Sequence, residues 1–518
     1  MSFLVLLPFL LTALPSVPPR TLAPAEFAQA REEADLKKLR VWIQRARRGR
    51  DGLDEEQRSA LRALLGDLER LRADEPSLTG DIDTALLDLA ALRRMPSSRK
   101  SAEGFEATQR VARFGEEALR RRIESDGARF CDWLAQEVLG SSHADGDARL
   151  VAARLLEGLH LVSTREALLR TARTETAELG EAAVAALVGW NDPAVHEFFL
   201  DRLEASGAGL SDLAQHLERT RDQLPPVTRA RVRVMVERLY LSEDWRDAAR
   251  GRVLLPAVET RRAVPILMEA LAVWGHRTEE GRGSRRILGE IVRELQRLSG
   301  RAIGPQPERW TRWWNAVLEG RVELPETIEE GGGFVSAASF FGLSVMTDRV
   351  VFLIDRSGSM ESTFGTDGRT RFEEAVTQFL RFLEQAGTRT QFSLALFSDR
   401  GELWQSGLSP ATSANLEQAK RWLDRQAPEG GTQLFEGLRA ALRLDREGHL
   451  AASRLDADTV IVLCDGATAE GPEWVAPWMR RENEQAQLVF HCVQIGRTGK
   501  GTLEALAAAT GGDFVLVD

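Results

Sequence analysis

"VVFLIDRSGSM", residues 350–360, decides the fold. Five apolar residues run from Val350 to Ile354 without polar alternation, and the chain then ends them in Asp355, Ser357 and Ser359. A strand apolar on both faces belongs in the middle of a parallel sheet. The same grammar continues to the C-terminus. "QFSLALFS" (391–398), "GELWQ" (401–405), "TVIVLCDG" (459–466), "LVFHCVQIG" (488–496) and "DFVLV" (513–517) read as strands. Between them, "RFEEAVTQFLRFLEQAG" (371–387) places Phe372, Ala375, Val376, Phe379, Leu380 and Leu383 on one helix face, and "NLEQAKRWLDRQ", "LFEGLRAALRLD" and "TLEALAAAT" are helical too. Six strands with intervening helices predict one doubly wound, Rossmann-like α/β domain over 348–518.

In such a sheet, ligands sit outside the carboxyl ends of the strands, near the switch in strand order. Asp355 lies at that end of its strand, with Ser357 and Ser359 following at spacing two and Gly358 letting the backbone bend between them. Asp465 ends a second buried strand, and Thr432 follows Gly430-Gly431 ahead of a helix. Two carboxylates and three hydroxyls at one edge make a hard, all-oxygen site, which suits Mg²⁺ or Mn²⁺ with waters retained. The plain alternative is ordinary turn and cap chemistry without a metal.

"DRSGSM", "GGT" and "CDG" resemble the metal-ion-dependent adhesion site of the von Willebrand factor type A domain family, over roughly 348–518. All five positions of that family's site are present, so the resemblance implies metal ligation by Asp355, Ser357, Ser359, Thr432 and Asp465. It also implies an open coordination position filled by an Asp or Glu of a protein partner, and hence adhesion-type binding. Arg356 departs from the small or apolar residue usual there, and its charge is expected either to weaken the cation or to reach an acidic ligand. No nucleophile–base pair accompanies the serines, so no enzyme activity and no catalytic residue is expected. "GRTGKGTLEAL" (496–506) imitates a phosphate loop, but Gly501 follows Lys500 where Ser or Thr is needed, so no nucleotide cofactor is expected. His160 and His491 sit in apolar surroundings and read as core-edge residues.

Upstream the period is helical throughout, about 26–320. "LVAARLLEGLHLV" (150–162) has helix spacing, and Asp192-Pro193 gives an acceptor followed by Pro at a first helical position. "LGEAAVAALVGWNDPAVHEFFLDRL" (179–203) resembles a HEAT-type repeat, and HEAT-like repeats are expected from about 147, which implies a stacked all-α solenoid. Trp310, Trp313 and Trp314 form a stripe at helical spacing that reads as core. Residues 321–347, acidic and with three consecutive glycines, read as a linker.

Residues 1–25 hold an apolar stretch, Phe3 to Leu14, that fits a signal-peptide core or a membrane tether. It is too short for a stop-transfer helix. The expectation is an exported, periplasmic or membrane-anchored bacterial protein, with the cytoplasm as the alternative. Cys131, Cys464 and Cys492 form neither a disulfide framework nor a zinc spacing and read as buried thiols. The net charge of −10 argues against a general nucleic-acid binder. Two other readings stay open. The Ro autoantigen family also joins a helical array to a type A domain and binds RNA, and "RARRGR" (45–50) and "RRMPSSRK" (93–100) are the clusters that would serve it. Similar domains also accompany AAA+ and chelatase complexes, in which this chain would be a non-ATPase adaptor.

Overall fold

The computed structural model describes residues 37, 79–91, 102–141, 144–325, 339–366, 368–452 and 455–517. The N-terminal segment, both basic clusters and the middle of the expected linker, 326–338, lie outside these residues. The described chain is a run of twelve α-helices followed by a mixed, mostly parallel α/β domain. It divides into two compact units, one ending at Val188 and one beginning at Gly189.

Among the described residues, the first unit is built of helices. Helix Thr79–Ala91 packs on helix Ala102–Trp133 so closely that a Cβ on Gly115 would lie 2.9 Å from the Ala90 nitrogen. The helical period read over 150–162 is interrupted. Helix Gly146–Leu155 stops, Gly158 takes a left-handed φ of 76°, and a new helix starts at Val162. A left-handed residue turns the chain out of the helical path whatever the apolar spacing around it. Among the described residues, no helix is long and apolar enough to cross a membrane.

The second unit joins seven helices, from Pro193–Ser206 to Pro307–Leu318, to the sheet. Asp192 caps the first of these, its side chain accepting from the Ala194 N–H, with Pro193 at the first helical position. Trp310 is fully buried and Trp313 nearly so.

Two short strands, β1 (Ser339–Phe340) and β2 (Leu343–Ser344), form an antiparallel pair. The main sheet comprises β3 (Arg349–Asp355), β4 (Gln391–Phe397), β5 (Gly401–Leu403), β6 (Ser409–Pro410), β7 (Thr459–Cys464), β8 (Val489–Ile495) and β9 (Phe514–Val517). Its order is β5-β4-β3-β7-β8-β9, with β6 beside β4, and the core pairs β4-β3-β7-β8-β9 are parallel. All six strands expected from the sequence are present, and β6 is an addition.

The apolar run of β3 serves two cores with the period of two that a strand imposes. Val351 and Leu353 face helices Leu434–Leu442 and Thr502–Thr510, whereas Val350, Phe352 and Ile354 face helices Arg371–Ala386 and Ser413–Leu423. Phe352 meets Phe340, Phe379 and Phe382 edge-on at 4.9–5.5 Å, so truncating it to Ala would cost about 3–5 kcal/mol. β3 has β4 on one side and β7 on the other, so the strand order switches at β3.

The opposite, amino-terminal edge of the sheet is joined to helix Arg285–Ser299. Asp458, immediately before β7, is fully buried; it accepts hydrogen bonds from Ser284 Oγ at 3.1 Å and from Thr347 and Thr459 hydroxyls at 2.7 Å. Arg286 donates to the carbonyls of Asp458 and Gln487 at 2.7 and 2.6 Å and to Glu290 at 2.8 Å. Arg285 pairs with Asp348 at 3.1 Å, and Arg246 donates to the carbonyls of Ala452 and Leu455.

Candidate metal centre

Parallel register places Ile354 opposite Leu463, so the next residues, Asp355 and Cys464, come side by side at the carboxyl edge. Asp355 is fully buried and Asp465 is 1% exposed. One ligand atom from each of Asp355, Cys464 and Asp465 lies within 4.8 Å of the others. The Ser357 N–H donates to Asp355 Oδ1 at 2.7 Å, and the Cys464 thiol donates to Oδ2 at 3.0 Å. Ser357 Oγ and Ser359 Oγ are 3.1 Å apart, with Ser357 buried and Ser359 exposed at the rim.

Backbone hydrogen bonds tie the three loops together. The Gly358 N–H donates to the Gly430 carbonyl at 3.0 Å, and the Ala469 N–H to the Thr432 carbonyl at 2.9 Å. Thr432 therefore stands on a loop fastened to both carboxylate loops. Gly430 has a φ of 74°, and a Cβ there would lie 2.5 Å from an Asp399 carboxylate oxygen; the other Asp399 oxygen accepts the Gly431 N–H at 2.9 Å. Thus only glycine fits this bend of the "GGT" loop.

Burial pushes the Asp355 carboxyl up to about 6; bonds from Cys464 and Ser357 pull it back in part, and the Asp465 charge adds to the rise. Burial and the Asp355 charge push the Cys464 thiol well above its usual range, so it is a neutral donor here. Two buried carboxylates with ligand atoms within 4.8 Å of each other fit a divalent cation in their donor chemistry.

Three residues change the picture drawn from sequence. Cys464 is buried as expected, yet it also belongs to the cluster, and its place next to Asp465 on a strand paired with Asp355's was the available signal. Arg371, the first residue of its helix, sets Nη1 3.6 Å from Asp465 Oδ2, a pairing that no local motif announces. Arg356 is held by Glu429 at 3.1 Å and Glu402 at 3.7 Å, so its charge is met by the protein's own carboxylates. Away from the cluster, Lys500 donates to the Ala469 carbonyl at 2.7 Å, and His491 on β8 pairs with Asp513 at 3.1 Å.

A family model described as the von Willebrand factor type A domain matches residues 348–515. That stretch is a von Willebrand factor type A domain. Domains of this type are typically adhesion or binding modules built on a metal-ion-dependent adhesion site that takes a divalent cation. Human inter-alpha-trypsin inhibitor heavy chain H4 is 26% identical over 215 residues, 40% of this chain and 21% of that protein. Heavy chain H1 of Mesocricetus auratus is 32% identical over 174 residues, 32% of this chain and 18% of that protein. The chain thus spans about a fifth of the length of these relatives. Among solved structures, a type A domain protein from Catenulispora acidiphila is 20% identical with a TM-score of 0.27, covering 34% of this chain and 40% of that one. Mussel byssus proximal thread matrix protein 1 with a zinc-occupied adhesion site is 21% identical with a TM-score of 0.23, covering 33% and 41%.

Proposed function

We propose that the type A domain binds Mg²⁺ or Mn²⁺ through Asp355, Ser357, Ser359, Thr432 and Asp465, and captures an Asp or Glu of a protein partner on the bound ion. The observation that carries this reading is the buried Asp355–Asp465 pair beside the Ser357 and Ser359 hydroxyls, on loops fastened to one another. Two carboxylates neutralise a divalent ion, and hydroxyl ligands do not repel a third carboxylate arriving from outside. The ion's part is to present an electrophilic coordination position; the chain's part is to hold the oxygens in place before the partner arrives. The helical array, HEAT-like from about 147 to 320, acts as a scaffold, and the protein is non-catalytic and works outside the cytoplasm, which suits the apolar segment at 3–14.

Calorimetry of Mg²⁺ and Mn²⁺ with the full chain tests the reading, wild type beside Asp355→Ala. Saturable binding by the wild type, lost in the variant, is expected. Equal binding by both proteins, or none by the wild type, would sink it.

A further inference from the structure

Resting on that cation reading, we propose that Arg371 is a specificity-determining residue of the site. Its guanidinium, fixed beside Asp465, loosens the hold on the cation and turns the loaded site toward anionic, carboxylate-bearing ligands.

The placement of Arg371 is built by its surroundings. Thr370 caps the helix through a capping box with Glu373, and the Arg371 N–H donates to the Ser362 carbonyl at 2.9 Å. One turn further out, the Phe364 N–H donates to the Arg369 carbonyl at 2.8 Å, and Thr363 bridges Thr370. The loop that leaves "DRSGSM" is thereby pinned to the start of this helix. The side chain reaches Asp465 with one nitrogen, and a Cβ on Gly496 would lie 3.1 Å from the other, Nη2. With 23% of its side chain exposed, Arg371 borders the solvent from which a ligand must come.

The charge balance follows. Two carboxylates and a divalent ion cancel; one guanidinium beside Asp465 leaves a local surplus of one positive charge on that side of the site, with the Asp399 carboxylate standing on the Gly431 side. That surplus repels the entering cation and attracts an entering carboxylate. On the other flank Glu402 and Glu429 are engaged by Arg356, which limits their repulsion of an acidic ligand.

The test uses the full chain as wild type, Arg371→Gln, Arg371→Met and Arg371→Lys. Mg²⁺ affinity is read by calorimetry, and ligand affinity by anisotropy of a fluorescein-labelled hexaglutamate peptide at saturating Mg²⁺. The two neutral variants are expected to bind Mg²⁺ about tenfold more tightly and the peptide about tenfold more weakly, with Lys close to wild type. The opposite signs separate this role from a structural one, which would weaken both together. Having two neutral variants keeps the test open if one fails to fold. Unchanged Mg²⁺ affinity, a parallel loss of both, or wild-type protein that binds Mg²⁺ but not the peptide overturns the role of Arg371 and leaves the cation site standing. Wild-type protein that binds no Mg²⁺ overturns the cation reading itself, and this inference with it.

Discussion

Asp355 and Asp458 are both fully buried aspartates at the ends of strands in one sheet, and they have opposite surroundings. Asp458, at the amino edge, is saturated: three hydroxyls donate to its carboxylate, and Arg286 holds its carbonyl. Asp355, at the carboxyl edge, takes the Ser357 N–H and hydroxyl from its own loop and a thiol, which is a weak donor, and has a second carboxylate close by. The first arrangement meets the cost of burying a charge within the fold, while the second leaves part of it to be met by something that binds. Burial and charge alone do not mark a site, then. The quality of the donors and the charge standing next to them do.

The largest effect expected from this contrast is on stability. Asp458→Ala strips the shared acceptor from Ser284, Thr347 and Thr459 at a junction between helix and sheet, and should cost about 3–5 kcal/mol. Asp355→Asn removes a poorly compensated charge, so the metal-free protein should melt within about 3 °C of wild type while cation binding disappears. Thermal melts in EDTA compare the two. Equal destabilisation by both substitutions would erase the distinction between the edges.

A smaller effect, dependent on pH, sharpens the same point at the amino edge. Burial pushes the Glu290 carboxyl up, but Arg286 and Arg252 outweigh it and bring it down to about 2. Because the folded value lies below the unfolded one, near 4.3, the unfolded chain takes up the proton first on acidification. The contribution of Glu290 is therefore complete above about pH 4.5 and is lost as pH falls through its folded value near 2. Glu290→Gln should lower the melting temperature at pH 7, and the gap from wild type should narrow toward pH 2. A gap independent of pH would mean that packing, and not charge, is what Glu290 supplies.

How legible each edge is in the sequence follows from how local its parts are. "DRSGSM" announces itself because one strand end and one short loop contain three of the five candidate ligands, and the two-faced apolar run fixes the sheet around them. The amino edge leaves no such trace, since Arg286 meets the Asp458 carbonyl across 172 residues. Arg371 was hidden for the same reason, with a partner on another strand's loop. The stop at Gly158 was visible in principle, yet apolar spacing on both sides of it outvoted a single glycine.

Cys464 is where the two readings of a buried residue meet, and the smallest expected effect lies there. It packs with Val462 and Leu353 in one core while its thiol donates to Asp355. Cys464→Ser keeps a donor and replaces a polarizable sulfur by a smaller hydroxyl, which should cost about 1 kcal/mol of stability through lost packing. If Cys464 only orients Asp355, the hydroxyl can do the same, and Mg²⁺ affinity measured by calorimetry should change less than about threefold. If the sulfur itself ligates the ion, Zn²⁺ would bind the wild type far better than the variant, because a thiolate favours the softer ion. The neutral, strongly raised thiol favours the first outcome, since ligation would require its deprotonation in a pocket that already holds two carboxylates.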